Sequence, residues 1–424
     1  MPMTLQVNES MIRNVVAQVL AEVGPAPVVS GASQAGRYGV FDCAHEAVTA
    51  ARQAFEQLSE RTIDDRRRII DHIRRISIEQ SVELGTMEMN ETKIGRLDHK
   101  INKLETLGKL TPGIEFMTSQ AYTGNRGLAI VEHAPFGVIG AITPVTHSLP
   151  TVTGNAVSMI ASGNTLVVNL HPSGKRVAAE GVRRFNQAIY QDLGIDNLIC
   201  VIAEPTLESA DVIFNHRDVA LICVTGGPAV ARAALSANKR AIVAGPGNPP
   251  VVVDETADLD RAARSIIQGG SYDNNLLCIG EKEIFVVDSV CDALMQAMDR
   301  AGAVRLNNQQ VDRLTSNAIQ AVGEGEHRHD APSKEFLGKD PAVLAAGAGM
   351  SLNQPTDLLF GETSVDHPFV TVEQMMPFIP VVRCRDVDQA IEYAREYEHG
   401  FRHTAIIHSN DVRNMTKMGR VLDT

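Results

Sequence analysis

No C-x-x-C pair occurs in the chain. Its six cysteines, at positions 43, 200, 223, 278, 291 and 384, are scattered, which argues against a zinc site or a disulfide framework and points to a reducing compartment. No metal site is expected. No apolar run approaches the roughly 20 residues that cross a bilayer. The N-terminus lacks both the basic region and the continuous apolar core of a secretory signal. Positive charge is also in short supply, since 39 Lys and Arg face 51 Asp and Glu, a net charge of −12. Nucleic acid and anionic membranes each demand a basic surface, so neither is expected as the main partner. A local basic pocket for a phosphate-bearing ligand is compatible with that total.

At 424 residues the chain exceeds one ordinary core, so two or more domains are expected. Residues 8–23 read as a unit of their own. Ile12, Val15, Val16, Val19, Leu20 and Val23 share one helical face, and Gly24-Pro25-Ala26-Pro27 stops the helix. A Ser/Gly/Ala-rich linker continues to Gly36. Such a tethered helix either docks on a partner or folds back on its own domain.

Two long amphipathic helices are expected at Ala44–Leu58 and Asp64–Leu84, and Tyr122–His133, with Gly124 and Gly127, reads as a hairpin arm. From Phe136 the period changes. Apolar runs at Val138–Ile142, Thr165–Val168, Leu198–Ala203, Ala220–Val224 and Ala241–Ala244 alternate with helical stretches, which argues for a parallel sheet covered on both faces. A second α/β region follows Gly245-Pro246-Gly247-Asn248-Pro249-Pro250, with strands at Val251–Val253, Ile284–Val287 and Val381–Arg383. Residues 323–340 are polar and read as a surface loop. Cys200 and Cys223 sit in apolar runs and are expected to be inert core thiols.

Two stretches offer chemistry. Cys278 lies in the Gly/Ser/Asn-rich loop from Gly269 to Lys282, between a predicted helix (Leu259–Gln268) and a predicted strand (Glu283–Val287). As a thiolate it would attack a carbonyl carbon; as a thiol it could equally be a small hydrophobe under a loop. Val224-Thr225-Gly226-Gly227-Pro228 joins a strand to a helix. Its glycines and the helix N-terminus suit a ligand phosphate, and an ordinary tight turn is an equally good reading.

Further stretches complete a pattern. They are Glu91-Thr92-Lys93-Ile94-Gly95 with Thr111-Pro112-Gly113-Ile114-Glu115, then Pro135-Phe136-Gly137-Val138-Ile139-Gly140-Ala141-Ile142-Thr143-Pro144, and Gly247-Asn248-Pro249-Pro250. Leu276-Leu277-Cys278-Ile279-Gly280-Glu281-Lys282, Glu373-Gln374-Met375-Met376-Pro377 and His403-Thr404-Ala405-Ile406-Ile407-His408-Ser409 follow in order. With these, the chain from about residue 36 onward resembles the aldehyde dehydrogenase superfamily, in its CoA-acylating branch associated with bacterial microcompartments.

The resemblance implies an α/β fold of aldehyde dehydrogenase type. Its parts would be a Rossmann-type NAD-binding domain (residues 37–120 and 133–246), an α/β catalytic domain (247–412) and a small β oligomerisation arm (121–132), suited to a dimer or tetramer. Residues 413–424 would open a return segment that relatives continue, adding a partner strand to the arm that is missing here. Cys278 is the implied nucleophile. Relatives place a second oxyanion donor where Thr146 and His147 stand. Cofactor contacts are implied at Thr143, Pro144, Thr225, Gly226, Gly227, Gly245 and Glu373, with Gln374 the alternative to Glu373. The family's ribose-contacting lysine aligns near Asn169 and His171, which leaves NAD against NADP open. The helix at 8–23 resembles an encapsulation peptide, which implies a shell-protein partner and a cytoplasmic location inside a microcompartment.

One departure bears on the product. Hydrolytic relatives use a glutamate as the base that activates water; the matching stretch here, Val243-Ala244-Gly245-Pro246-Gly247, has no carboxylate. Water without a base attacks a thioester poorly, so coenzyme A is the expected acceptor, with NAD as oxidant. A short aliphatic aldehyde, propionaldehyde first, is the expected substrate. The rivals are a hydrolytic aldehyde dehydrogenase with another base, and a non-catalytic shell-associated adaptor.

Overall fold

The computed structural model describes residues 36–323 and 329–424. The helix expected at residues 8–23 and its linker to residue 35 lie outside the described residues. The described chain divides into two compact units, one holding residues up to Lys93 and Lys100–Gly245, the other Ile94–His99 and Pro246–Thr424.

In the first unit, β1 (Val40–Phe41) leads into the helix Ala44–Ser59. Asp64–Leu84, expected as one helix, is broken: helices span Ile63–Glu79 and Ser81–Thr92, and Gln80 between them departs from helical geometry at φ −110° and ψ 16°. The apolar periodicity runs across the break because both helices bury the same side of the chain, with Ile69, Ile70, Ile73, Ile76 and Leu84 in one core cluster. Thr62 caps the first of them reciprocally with Asp65. A helix at Leu97–Leu110 precedes the hairpin of β2 (Gln120–Gly124) and β3 (Gly127–Val131), whose residues are exposed throughout.

Then come β4 (Val138–Ile142), β5 (Thr165–Asn169), β6 (Ile199–Ile202), β7 (Val219–Thr225) and β8 (Arg240–Ala244). With β1 they form one sheet in the order β1-β6-β5-β4-β7-β8, every pairing parallel. Helices such as Ser148–Ala161 and Lys175–Leu193 connect its strands. Val167, Val168, Ile199, Cys200 and Val201 are wholly buried, as a sheet covered on both faces requires. Cys200 is thus the core thiol expected, whereas Cys223 is only partly buried at the edge of the core.

The second unit has its own parallel sheet. β9 (Pro250–Val253), β10 (Glu283–Val287), β11 (Val304–Arg305), β14 (Leu359–Glu362), β15 (Phe378–Cys384) and β16 (Ile406–His408) order as β11-β14-β15-β10-β9-β16. Between them, β12 (Ile319–Val322) pairs antiparallel with β13 (His329–Pro332). The surface loop expected at 323–340 therefore contains a strand. Its sequence, His-Asp-Ala-Pro, has neither β-branched residues nor alternation, and only pairing with β12 makes it extended. This is the two-sheet α/β architecture expected.

Candidate active site

The helix Leu259–Ser271 runs into the loop that carries Cys278. Asp273, Asn274 and Asn275 follow one another with φ of 50°, 56° and 62°, a left-handed run that Asp and Asn tolerate best among residues with a side chain. All three are buried and cross-braced. Asp273 accepts the Arg96 N–H (2.8 Å) and gives its own N–H to His99 Nδ1 (2.8 Å). Asn274 Nδ2 donates to the Gly338 carbonyl (3.0 Å) and to Asp340 (2.8 Å). Asn275 Nδ2 donates to the carbonyls of Gly270 (2.7 Å) and Glu281 (2.8 Å).

The chain then turns at Leu277–Gly280, where the Gly280 N–H reaches the Leu277 carbonyl at 3.1 Å. Cys278 is the second residue of that turn and is half-buried; Ile279 beside it is exposed. The thiol is therefore not sealed in the interior. Lys282 closes the loop, its ammonium wholly buried and donating to the Asn275 carbonyl (2.7 Å) and to Asn275 Oδ1. Burial lowers its pKa, against attraction from Glu373, Cys278, Glu283 and Glu281.

Gly247 is the meeting point of the second unit's chemistry. A Cβ there would lie 2.4 Å from the Cys278 carbonyl oxygen and 3.3 Å from His403 Cγ, so only glycine lets the three segments approach. Asn248 anchors this turn, donating to the carbonyls of Val370 (3.0 Å) and Tyr397 (2.8 Å). Burial raises the Glu373 pKa, against the pull of Lys282 and of the Gly247 backbone. Its neighbour Gln374 is wholly buried and donates to the Lys282 and Phe378 carbonyls (2.8 and 2.9 Å), which commits its amide to the fold. His403 gives its N–H to Glu398 (2.8 Å), and burial keeps its imidazole below the usual 6.5, hence neutral near pH 7.

Two carboxyls behind the loop are strongly perturbed. Glu283 is wholly buried with neither oxygen hydrogen-bonded among the described residues, and burial pushes its pKa well up. Glu281 packs on Gly269, where a Cβ would fall 1.8 Å from its Oε2, and burial pushes its pKa up to about 7 from 4.5. The native state therefore keeps a proton that the unfolded chain releases near 4.5. The stability held below that value is lost as pH rises toward 7. Glu281→Gln, a neutral isostere, is expected to be more stable than wild type by roughly 3 kcal/mol near pH 8, and equal to it near pH 4. Urea midpoints at the two pH values check this.

In the first unit, the cofactor candidates gather at the C-terminal ends of adjacent strands, the usual ligand-facing edge of an open α/β sheet. Thr143 follows β4; its N–H meets the Asn169 carbonyl at 3.3 Å, and its buried hydroxyl has no hydrogen-bond partner among the described residues. Pro144 comes next, partly buried. Thr225 ends β7, and the Gly226 N–H bonds the Ala244 carbonyl (3.1 Å) just before Gly245. The helix Pro228–Ser236 starts at Gly227. A Cβ on Gly227 or Gly245 would meet nothing within 4 Å, and on Gly226 only Val230 at 3.9 Å. That open cradle beside a helix N-terminus, with an orphaned hydroxyl on the neighbouring strand, fits a dinucleotide diphosphate.

The two stand-ins for the family lysine are occupied differently. Asn169 is taken up by Thr206 and Ser209 (3.0 and 2.6 Å). His171 Nδ1 accepts the Ser173 N–H (3.1 Å), and burial lowers its pKa to about 4, so it offers no positive charge. Thr146 and His147 lie between Pro144 and the helix Ser148–Ala161, held by Lys100 and Lys103. Among the described residues no group of three or more His, Cys, Asp or Glu is arranged to hold a metal, and no helix is long and apolar enough to cross a membrane.

A model of the aldehyde dehydrogenase family matches residues 37–424. The chain belongs to that family. This aldehyde dehydrogenase is 40% identical over 418 residues to the acetaldehyde dehydrogenase (acetylating) EutE of Salmonella typhimurium, covering 98% of this chain and 88% of the relative. Among solved structures it is similar to the propionaldehyde dehydrogenase of Rhodopseudomonas palustris with bound CoA and an acylated cysteine. There the identity is 39% and the TM-score 0.87, over 91% of this chain and 87% of that one. The propionaldehyde dehydrogenase of the Clostridium phytofermentans fucose utilisation bacterial microcompartment matches with the same identity, TM-score and coverage.

Sequence reasoning passed over three groups that the fold of this aldehyde dehydrogenase gathers around the Cys278 turn. His403 stood inside a quoted motif without a role, and only the contact through Gly247 brings it to Cys278. The sequence offers Lys282 and Asn275 only as motif and loop composition; their bond braces the turn that carries Cys278. The one signal available for Lys282 was a lysine immediately before an apolar strand, where a charge needs a partner to be buried.

Proposed function

We propose that this aldehyde dehydrogenase oxidises a short aliphatic aldehyde, propionaldehyde first and acetaldehyde next, and hands the acyl group to coenzyme A. The observation that carries the reading is Cys278 on a half-exposed turn, grouped with a neutral His403 around Gly247, in a chain with no carboxylate along Val243–Gly247. The acetylating and CoA-bound relatives support it.

In this reading the Cys278 thiolate adds to the aldehyde carbon, and the resulting oxyanion is held by the Cys278 N–H with Thr146 or His147 as second donor. NAD, when bound by Thr143, Pro144, Thr225, Gly226, Gly227 and Gly245, supplies the hydride acceptor. Loss of hydride leaves the acyl group as a thioester on Cys278. His403 takes the thiol proton of CoA, the CoA sulfur attacks the thioester carbon, and Cys278 departs as thiolate. Thioester exchange is close to isoenergetic, and water has no activating base at Val243–Gly247 to compete with it. Glu373 orients the nicotinamide ribose. The experiment is aldehyde, NAD and CoA with the purified protein. Sustained NADH formation is expected to require CoA and to yield acyl-CoA; CoA-independent turnover to free acid overturns the reading.

NAD is proposed over NADP. His171 is neutral, and the nearby Lys175 is committed to an ion pair with Glu204, so neither offers a 2′-phosphate an uncommitted cation. Glu204→Gln, by releasing Lys175, is expected to raise kcat/KM for NADP relative to NAD about tenfold, the worth of roughly 1.4 kcal/mol. Initial rates with both cofactors check it. The exposed apolar residues Tyr122, Leu128, Ile130 and Val131 on the β2–β3 hairpin support its use as an oligomerisation arm. Residues 8–23 are proposed to dock on a microcompartment shell protein, which places the enzyme in the cytoplasm within such a compartment.

A further inference from the structure

The helix Leu97–Leu110 buries two lysines three residues apart, Lys100 with no exposed surface and Lys103 with 7%. Lysines are almost never buried unless something demands it. Both ammonium groups point at one turn. Lys100 Nζ pairs with Glu88 at 3.4 Å and donates to the Thr146 carbonyl at 3.0 Å. Lys103 Nζ lies 3.5 Å from the same carbonyl and 2.7 Å from His147 Nδ1.

An ammonium can only donate. With Lys103 as an ammonium, Nδ1 at 2.7 Å is the accepting nitrogen of a neutral ring, and the ring proton sits on Nε2. The His147 side chain does not cap the helix that begins at Ser148; its carbonyl instead accepts from the Thr151 N–H (3.0 Å) and hydroxyl (2.6 Å). Backbone and side chain thus have separate tasks. We propose that Lys103 is a positioning residue that holds His147 as its Nε2–H tautomer, so that His147 rather than Thr146 presents the neutral donor to the substrate oxygen. This rests on the reading of the Thr146–His147 turn as the source of the second oxyanion donor. An imidazole with the opposite tautomer would present a lone pair to that oxygen and repel it.

The test uses the full chain with Lys103→Met, Lys103→Arg, His147→Asn, His147→Ala and the Lys103→Met/His147→Asn pair. Lys103→Met is expected to lower kcat about 30-fold, less than the ~10²–10³ that outright loss of an oxyanion donor costs because the ring is mis-set rather than removed, with KM for NAD unchanged. Lys103→Arg restores most of the loss. An asparagine has no tautomer to fix, so in the His147→Asn background Lys103→Met should cost less than about 2-fold. In wild type, ¹⁵N-histidine spectra should show the His147 proton on Nε2, the signal being assigned by its loss in His147→Asn.

A full wild-type kcat in His147→Ala sinks the donor reading itself. A slow His147→Ala beside an unimpaired Lys103→Met sinks only the role of Lys103. An equal cost of Lys103→Met in both backgrounds marks that lysine as merely structural and overturns the proposal. Should Lys103→Met not fold, an Nδ1-protonated His147 in wild type overturns it alone.

Discussion

Replacing Cys278 by alanine is expected to lower aldehyde-dependent NADH formation by at least ~10⁴-fold, the scale on which removal of an enzyme nucleophile acts. Four of the other five thiols are withdrawn from reaction. Cys200, Cys291 and Cys384 are wholly buried, and burial pushes Cys291 and Cys384 up to about 12. Burial likewise raises Cys200 and the partly buried Cys223. The thermal midpoint should move little, because Cys278 is half-exposed and the loop's bracing comes from Asp273, Asn274, Asn275 and Lys282. Stopped-flow NADH absorbance and intact mass together check the result. A variant that still forms one NADH per site, or still gains an acyl group, removes Cys278 from the chemistry.

His403→Ala is expected to act on the second half of the reaction. Transfer to CoA should slow ~10²–10³-fold, the usual worth of a general base, while the first NADH of a single turnover is largely kept. The acyl-enzyme then accumulates and is visible by mass. A pH signature accompanies it. Burial holds the His403 pKa below 6.5, so the neutral base persists as pH falls through that value, and wild-type activity is lost only at still lower pH. An acid limb at or above 6.5, or equal loss of both half-reactions in the variant, would point to a different base.

Much of this was legible in the order of residues. The apolar runs Val138–Ile142 and Ile284–Val287 became strands, the second extended by one residue to the buried Glu283, because a strand buried on both faces leaves few positions for a polar residue. Asp64–Leu84 failed at Gln80, since a kink that keeps the same face buried leaves the spacing of apolar residues intact. β13 failed for the opposite reason, having no strand pattern at all. Cys278 stood out through its loop composition and motif, and the missing carboxylate through a stretch that could be compared position by position.

From its order of residues alone the chain declared its α/β class, the loop thiol proposed as its nucleophile and the absence of a carboxylate along Val243–Gly247, because strand burial and motif chemistry are written in adjacent residues. Folding alone decided which groups surround that thiol and what environment they meet. His403 and the Cys278 carbonyl close on Gly247 from either side, Lys282 is buried among carboxyls from other elements, and Lys103 meets His147 once a helix and a turn are packed together. Protonation and tautomer depend on solvent exclusion and on neighbours brought from distant parts of the chain, and neither exists until the core has closed.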